Sequence, residues 1–179
     1  MKKVSLLAAV VSSFFLAVNS AFAHDVVLDF KGKVTKSTCE IEGSTEGKLT
    51  KLVTLSDVST NALSKVGDVA GMQAVVIKLQ KCTGTKFEAR FNGLVQSVDE
   101  ITGALINKLE SSSNGSNVQV QLLDSQYQPI KLGIKNTPVT VETAGDEASV
   151  GFYAQYLAAY ASATAGEFQS QIMLDFSYE

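Results

Sequence analysis

From Gly166 to its last residue the chain keeps a two-residue alternation. Gly166, Phe168, Ser170, Ile172, Leu174, Phe176 and Tyr178 share one parity; Glu167, Gln169, Gln171, Asp175, Ser177 and Glu179 share the other, where Met173 is the sole large apolar residue. Successive side chains of a strand point to opposite faces, so this segment presents one long apolar stripe backed by a polar face. A shorter stripe stands at the opposite end, with Val26, Leu28 and Phe30 on one face and Asp25, Val27, Asp29 and Lys31 on the other. Both ends of the chain therefore read as strands that need an apolar groove to lie in, which points to a β fold.

The sequence between them agrees. Glycine, serine and asparagine interrupt it at short intervals, as at Gly43-Ser44, Asn92-Gly93, 111–117 and Ala165-Gly166. The intervening segments are short and rich in β-branched and aromatic residues: 26–34, 49–58, 72–79, 87–91, 118–123, 139–143, 150–156 and 168–178. That spacing predicts an all-β sandwich. Val118, Val120 and Leu122 alternate with Gln119 and Gln121, the pattern of a half-buried antiparallel strand. Helical signals are sparse, with one turn expected in 59–66 and a loop over 158–164. Pro129 and Pro138 are the only prolines and no linker-like tract divides the chain, so one domain is expected.

Lys2 and Lys3 precede an apolar run over 4–18, and Ala21-Phe22-Ala23 then supplies small residues at alternate positions. This is the pattern of a secretory signal peptide, 1–23, with cleavage expected after Ala23. The run is shorter than the roughly 20 residues of a bilayer span, so export without a permanent membrane anchor is expected. Cys39 and Cys82 are the only cysteines, and an even count in an exported chain reads first as a disulfide. Closing a loop of that length stabilises a fold by roughly 4 kcal/mol in the chain-entropy model. Loss of Lys2 and Lys3 makes the formal charge of −3 more negative still, which argues against nucleic acid as a partner.

Catalytic chemistry finds few candidates. His24 is the only histidine and stands at the expected mature terminus, leaving no base for a serine triad and too few ligands for a metal. Asp99-Glu100 and Asp146-Glu147 are adjacent pairs whose members would point to opposite faces of a strand, and they suit surface turns better than a glycosidase site. No phosphate loop, dinucleotide fingerprint or calcium loop occurs. Neither an enzyme nor a cofactor is expected.

Phe30-Lys31-Gly32-Lys33-Val34 ahead of Cys39, then Cys82, then a last strand running from Gly166 to Phe176-Ser177-Tyr178-Glu179, together resemble the type-1-like fimbrial subunits, or pilins, of the chaperone-usher pathway. That family carries an FxG segment before its first cysteine, a glycine at the start of its last strand and a penultimate tyrosine. Residues 117–124 followed by Ile130-Lys131-Leu132-Gly133 are similar to its VQLLD…IKLG stretch. The resemblance implies an incomplete immunoglobulin-like β-sandwich, 34–179, lacking its final strand, preceded by an N-terminal donor-strand extension, 24–33. It implies Val26, Leu28, Phe30 and Gly32 as the donor strand. Gly166, Phe168, Ile172, Leu174, Phe176, Tyr178 and the carboxylate of Glu179 would form the groove strand that meets a periplasmic chaperone. Other pilin subunits, that chaperone and an outer-membrane usher are the implied partners, and a fimbrium reached through the periplasm is the implied destination. Val26 stands about where many relatives carry glycine. The alternatives are a self-contained secreted sandwich that binds a host glycan or protein, and a minor adapter or terminator pilin.

Overall fold

The computed structural model describes residues 31, 39–44, 48–83, 87–92, 96–133 and 138–178. The chain divides into two compact units, Met1–Val34 and Thr35–Glu179. Of the first unit only residue 31 is among the described residues; the expected leader, the stripe of Val26, Leu28, Phe30 and Gly32, and Glu179 lie outside them.

Among its described residues the second unit is built from strands, with two short 3-10 turns at Thr60–Leu63 and Ser111–Ser113. In chain order the strands are β1 (Glu40–Ile41), β2 (Val69–Gln80), β3 (Phe87–Asn92), β4 (Leu105–Ile106), β5 (Gln119–Leu123), β6 (Pro129–Ile130), β7 (Val141–Ala144), β8 (Glu147–Leu157) and β9 (Met173–Tyr178). One sheet runs β1-β2-β8-β5-β4, with β6 on β5 and β7 on β8; β3 and β9 make the second. All the ladders between these strands are antiparallel.

β8 organises the core. Its Ala148, Val150, Phe152 and Ala154 are buried, and its register places Phe152 beside Val75 of β2 and Ala154 beside Leu122 of β5. From the second sheet Phe91 meets Phe152 edge to face, ring centroids 5.0 Å apart. Burying an aromatic or branched side chain of this kind contributes about 1.5–3 kcal/mol, and the shared cluster explains why the two sheets lie face to face. A disulfide joins Cys39, just before β1, to Cys82, just after β2, over a sequence separation of 43. Cys39 packs with Leu79 and Ala148, and Phe87, Phe176 and Tyr178 lean on that same small cluster.

Three segments differ from the sequence expectation, the first being β5, read as half-buried with its glutamines toward water but buried on both faces, with Gln119 among its buried residues. Residues 49–58 join no described strand ladder, and Leu52 there is 88% exposed. Their β-branched composition suits a strand, yet a strand forms only where a partner edge supplies its backbone bonds. The last stripe is a ladder only over Met173–Tyr178; residues 168–172 keep the alternating burial beyond the end of β3, held by other means described below. The 3-10 turn at Thr60–Leu63 falls where one helical turn is expected; Ser59 caps it, its hydroxyl accepting from the Asn61 N–H at 3.2 Å.

Candidate assembly groove

Along residues 168–178 burial follows the sequence alternation. Phe168, Ser170, Ile172, Leu174, Phe176 and Tyr178 are half-buried, and Gln169, Gln171, Met173, Asp175 and Ser177 are exposed. Across the ladder Phe176 stands opposite Ala89 and Leu174 opposite Phe91. Ala89 and Phe91 are 0% and 2% exposed. β3 is thus sealed at Ala89 and Phe91, with Phe87 half-buried at its start, while β9 keeps accessible apolar surface along its whole length. Leu55, Ile77, Val141 and Tyr156 are likewise half-buried and pack against the same core. A core ringed by so many incompletely covered apolar side chains has the make-up of a docking groove.

Rings fix the two ends of the stripe. Phe87 and Tyr178 meet edge to face at 5.8 Å, and Tyr156 and Phe168 at 6.2 Å. Burial, with the charge of Asp57 adding to it, raises the Tyr156 hydroxyl above the ordinary phenol range.

Asparagines anchor the lead-in to β9. The Asn107 side-chain amide donates to the carbonyls of Ser116 and Glu167 at 2.8 and 2.7 Å, and its oxygen accepts from the Leu109 and Gln169 N–H groups at 3.1 and 2.9 Å. One planar amide with two donors and two acceptor sites therefore satisfies backbone on both sides of the crossing. The Asn117 amide donates to the Ser162 carbonyl at 3.0 Å, and its oxygen accepts from the Thr164 N–H at 2.8 Å. Backbone completes the seam, with the Ser116 N–H donating to the Glu167 carbonyl and the Glu167 N–H to the Asn114 carbonyl at 2.9 and 2.7 Å.

Gly166 sits at the tightest point of this crossing. A Cβ there would stand 2.6 Å from both the Asn114 carbonyl oxygen and the Ser116 nitrogen, and its φ of +152° is one that side-chain-bearing residues rarely adopt. Backbone has to move for any other residue to fit, so the glycine at the head of the stripe has a steric cause.

A second polar knot holds the loop that leads into the crossing. The Asp99 carboxylate accepts from the Ile101 and Thr102 N–H groups, the Gln119 amide and the Tyr160 hydroxyl, all between 2.8 and 3.0 Å. Burial opposes the charge on Asp99, but bonds from Thr102, Tyr160, Gln119 and Ile101 outweigh it and hold its carboxyl below the usual range. The same contact raises the Tyr160 hydroxyl.

Of the residues singled out in the sequence, the structure bonds Cys39 to Cys82, sets Gly166 at the crossing, and aligns Phe168, Ile172, Leu174, Phe176 and Tyr178 on one half-buried stripe. Asn107, Asn117 and Thr164, together with Leu55, Ile77 and Val141 beside the groove, carry no local signal and emerge only once distant segments meet.

A family model described as fimbrial protein matches residues 28–179. The chain belongs to the fimbrial protein family. Among its relatives, the major fimbrial subunit SMF-1 of Stenotrophomonas maltophilia is 39% identical over 171 residues, spanning 91% of this chain and 96% of that protein. The crystal structure of an antigen and type I fimbria protein of Burkholderia pseudomallei aligns with a TM-score of 0.54 at 27% identity, covering 80% of this chain and 91% of that one. The P pilus rod subunit PapA shares the fold, with a TM-score of 0.57 at 14% identity over 86% of this chain and 100% of that one. The fold is accordingly that of an incomplete immunoglobulin-like pilin sandwich, and the family's role is that of a structural subunit of a cell-surface fimbrium rather than of an enzyme. No helix among the described residues is long and apolar enough to cross a membrane.

Proposed function

We propose that this fimbrial subunit builds a filament by donor-strand exchange, each copy lending its N-terminal extension to the groove of the next. The observation that carries the reading is the contrast across the β3–β9 ladder: Ala89 and Phe91 are sealed, whereas Leu174 and Phe176 opposite them stay half-covered. An extended segment laid beside β9 gains backbone bonds along its length and sets its register by alternate side chains. The extension 24–33 has the matching alternation in Val26, Leu28 and Phe30, with Gly32 in the same parity. Burying those three apolar side chains contributes roughly 5–8 kcal/mol. Residues 1–23 act as the leader and 34–179 as the receiving sandwich.

Before assembly the groove needs a temporary occupant, because an exposed apolar edge of this length drives aggregation. A periplasmic chaperone fills that role by lending a strand to Phe168, Ile172, Leu174, Phe176 and Tyr178, with basic residues that anchor the Glu179 carboxylate, and an outer-membrane usher is where the exchange takes place. Deleting residues 24–30 tests the reading. The expected outcome is a subunit that still forms a chaperone complex but adds no further subunit behind it; filaments of normal length and yield contradict donation by this segment.

A further inference from the structure

One end of the sandwich carries exposed apolar side chains that the groove does not use. It is the end where β2 begins and β8 finishes, and where Phe168, at the head of the stripe, packs with Leu63, Val118 and Ala158. Three loops meet there. The Gly67 N–H donates to the Ala158 carbonyl at 2.8 Å, and the Ala158 N–H to the Asp68 carbonyl at 3.0 Å. Two residues after Ala158, the Tyr160 hydroxyl donates to the Asp99 carboxylate, which also accepts from the Ile101 N–H. Val66, Ile101 and Tyr160 stand on these loops, 62%, 80% and 59% exposed.

The turns themselves do not call for apolar tips. In 65–68 the Asp68 N–H donates to the Lys65 carbonyl at 3.1 Å, the Lys65 N–H donates to the Asp68 carboxylate at 2.8 Å, and Gly67 supplies a φ of +92°. In 99–103 the Asp99 carboxylate and Gly103, with a φ of +69°, do the same. Aspartate and glycine build both turns, so the tip residues could be polar, as turn residues usually are. Both are β-branched and apolar instead. Lys65, Asp68, Glu100 and Lys131 stand around them, Lys131 through its backbone contact with Gly103. An apolar centre with a rim of both charges has the make-up of a protein interface.

Covalent geometry points to the occupant. Residues 33–38 separate Gly32 from Cys39, and a chain of that length spans at most about 25 Å. β2, of 12 residues, runs roughly 35 Å from this end to the end that holds the disulfide. A copy whose extension lies in a neighbour's groove therefore brings its own Cys39 end close to the point where that strand leaves the groove. Leaving beside Tyr178 would set it against the receiver's own Cys39–Cys82 end, where Tyr178 packs and from which the receiver's extension starts toward a third copy. Leaving beside Phe168 keeps the giving and receiving ends apart, and such a heterologous contact repeats without closing.

We propose that Val66, Ile101 and Tyr160 form a contact between successive subunits, seated against the Cys39–Cys82 end of the copy whose extension fills the groove. The proposal rests on the donor-strand reading and adds to it a second contact at each joint, made by side chains of the two bodies.

Filaments assembled from mixed light and ¹⁵N-labelled subunits, carrying p-benzoylphenylalanine at position 101 or, as the control for strand donation, at position 28, test the contact. Position 101 is expected to crosslink into residues 33–42 or 80–82 and to pair light with heavy chains. Val66→Ser combined with Ile101→Ser removes both apolar tips and leaves the aspartates and glycines of the turns in place. This double variant is expected to keep the melting temperature of the single subunit and the crosslink from position 28, while its filaments dissociate in detergent roughly tenfold faster. Crosslinks from position 28 into residues 168–178 of another copy, with position 101 reaching no other copy or a different surface of it, overturn the contact and leave strand donation standing. Failure at both positions overturns both. An unchanged rate of dissociation in the double variant overturns the contact, as does a lowered subunit melting temperature, which would make the tips part of the subunit's own packing.

Discussion

β8 and the segment 168–178 carry the same alternation and end in different states. On β8, Ala148, Val150, Phe152 and Ala154 are all buried, with ladders to β2 on one side and to β5 and β7 on the other. On the last segment Phe168, Ile172, Leu174 and Phe176 are all half-buried, and β9 has β3 as its described strand neighbour. Period two tells which face a side chain takes; it does not tell how much of that face the chain itself covers. The difference between the two strands is the difference between a finished core and a half-covered stripe, the one that the proposed donor strand would complete.

Substitutions that treat the two strands alike should therefore give unlike results. The largest effect is expected from Phe152→Ala on β8, which removes the ring that bridges the sheets and costs about 3–5 kcal/mol; denaturant melting of the chaperone-released subunit and of the filament should both register it. Gly166→Ala comes next, since its methyl is forced against the backbone of residues 114–116, an overpacking of roughly 1–3 kcal/mol. Thermal melting should show that loss, together with faster hydrogen exchange at the Glu167 and Gln169 amides.

Leu174→Ala on β9 sharpens the contrast. In the single subunit it removes a half-covered side chain, and about 1 kcal/mol is expected. In the filament the same change should speed dissociation in detergent well beyond what that subunit loss explains, because under the proposed strand exchange the side chain is fully covered only there. Equal losses in both states would mean that β9 is ordinary core.

The smallest effect concerns pH. Asp99 has its carboxyl lowered in the folded state, so its contribution is fully present above the ordinary carboxylate pKa and fades as pH falls through the lower folded value. Wild-type melting temperatures should drop as pH is taken below about 4, and Asp99→Asn should remove part of that dependence, with Tyr160→Phe giving a weaker version of the same change.

Much of this was legible in the sequence, and the gaps have physical causes. The stripe from Phe168 to Tyr178, its glycine and its parity could be read directly, because period two is a local property. That β9 forms a ladder only from Met173 onward could not, since it depends on where β3 stops and on Asn107 accepting from Gln169, a partner distant in sequence. Residues 49–58 have strand composition but no described ladder, which shows propensity without a partner edge. The two-residue strands β1, β4 and β6 are too short to show any period. Asn107 and Asn117 read as loop residues because their roles exist only after the loop 107–117 meets the segment leading into β9.

Whether the uncovered side of the stripe is filled by another copy can be measured by photo-crosslinking. Leu28 is replaced by p-benzoylphenylalanine, light and ¹⁵N-labelled subunits are mixed before assembly, and the crosslinked peptides of the filament are sequenced by mass spectrometry. Donation between copies predicts crosslinks from position 28 into residues 168–178 that pair light with heavy chains. Crosslinks confined to peptides of one isotope, or directed away from that segment, would contradict it.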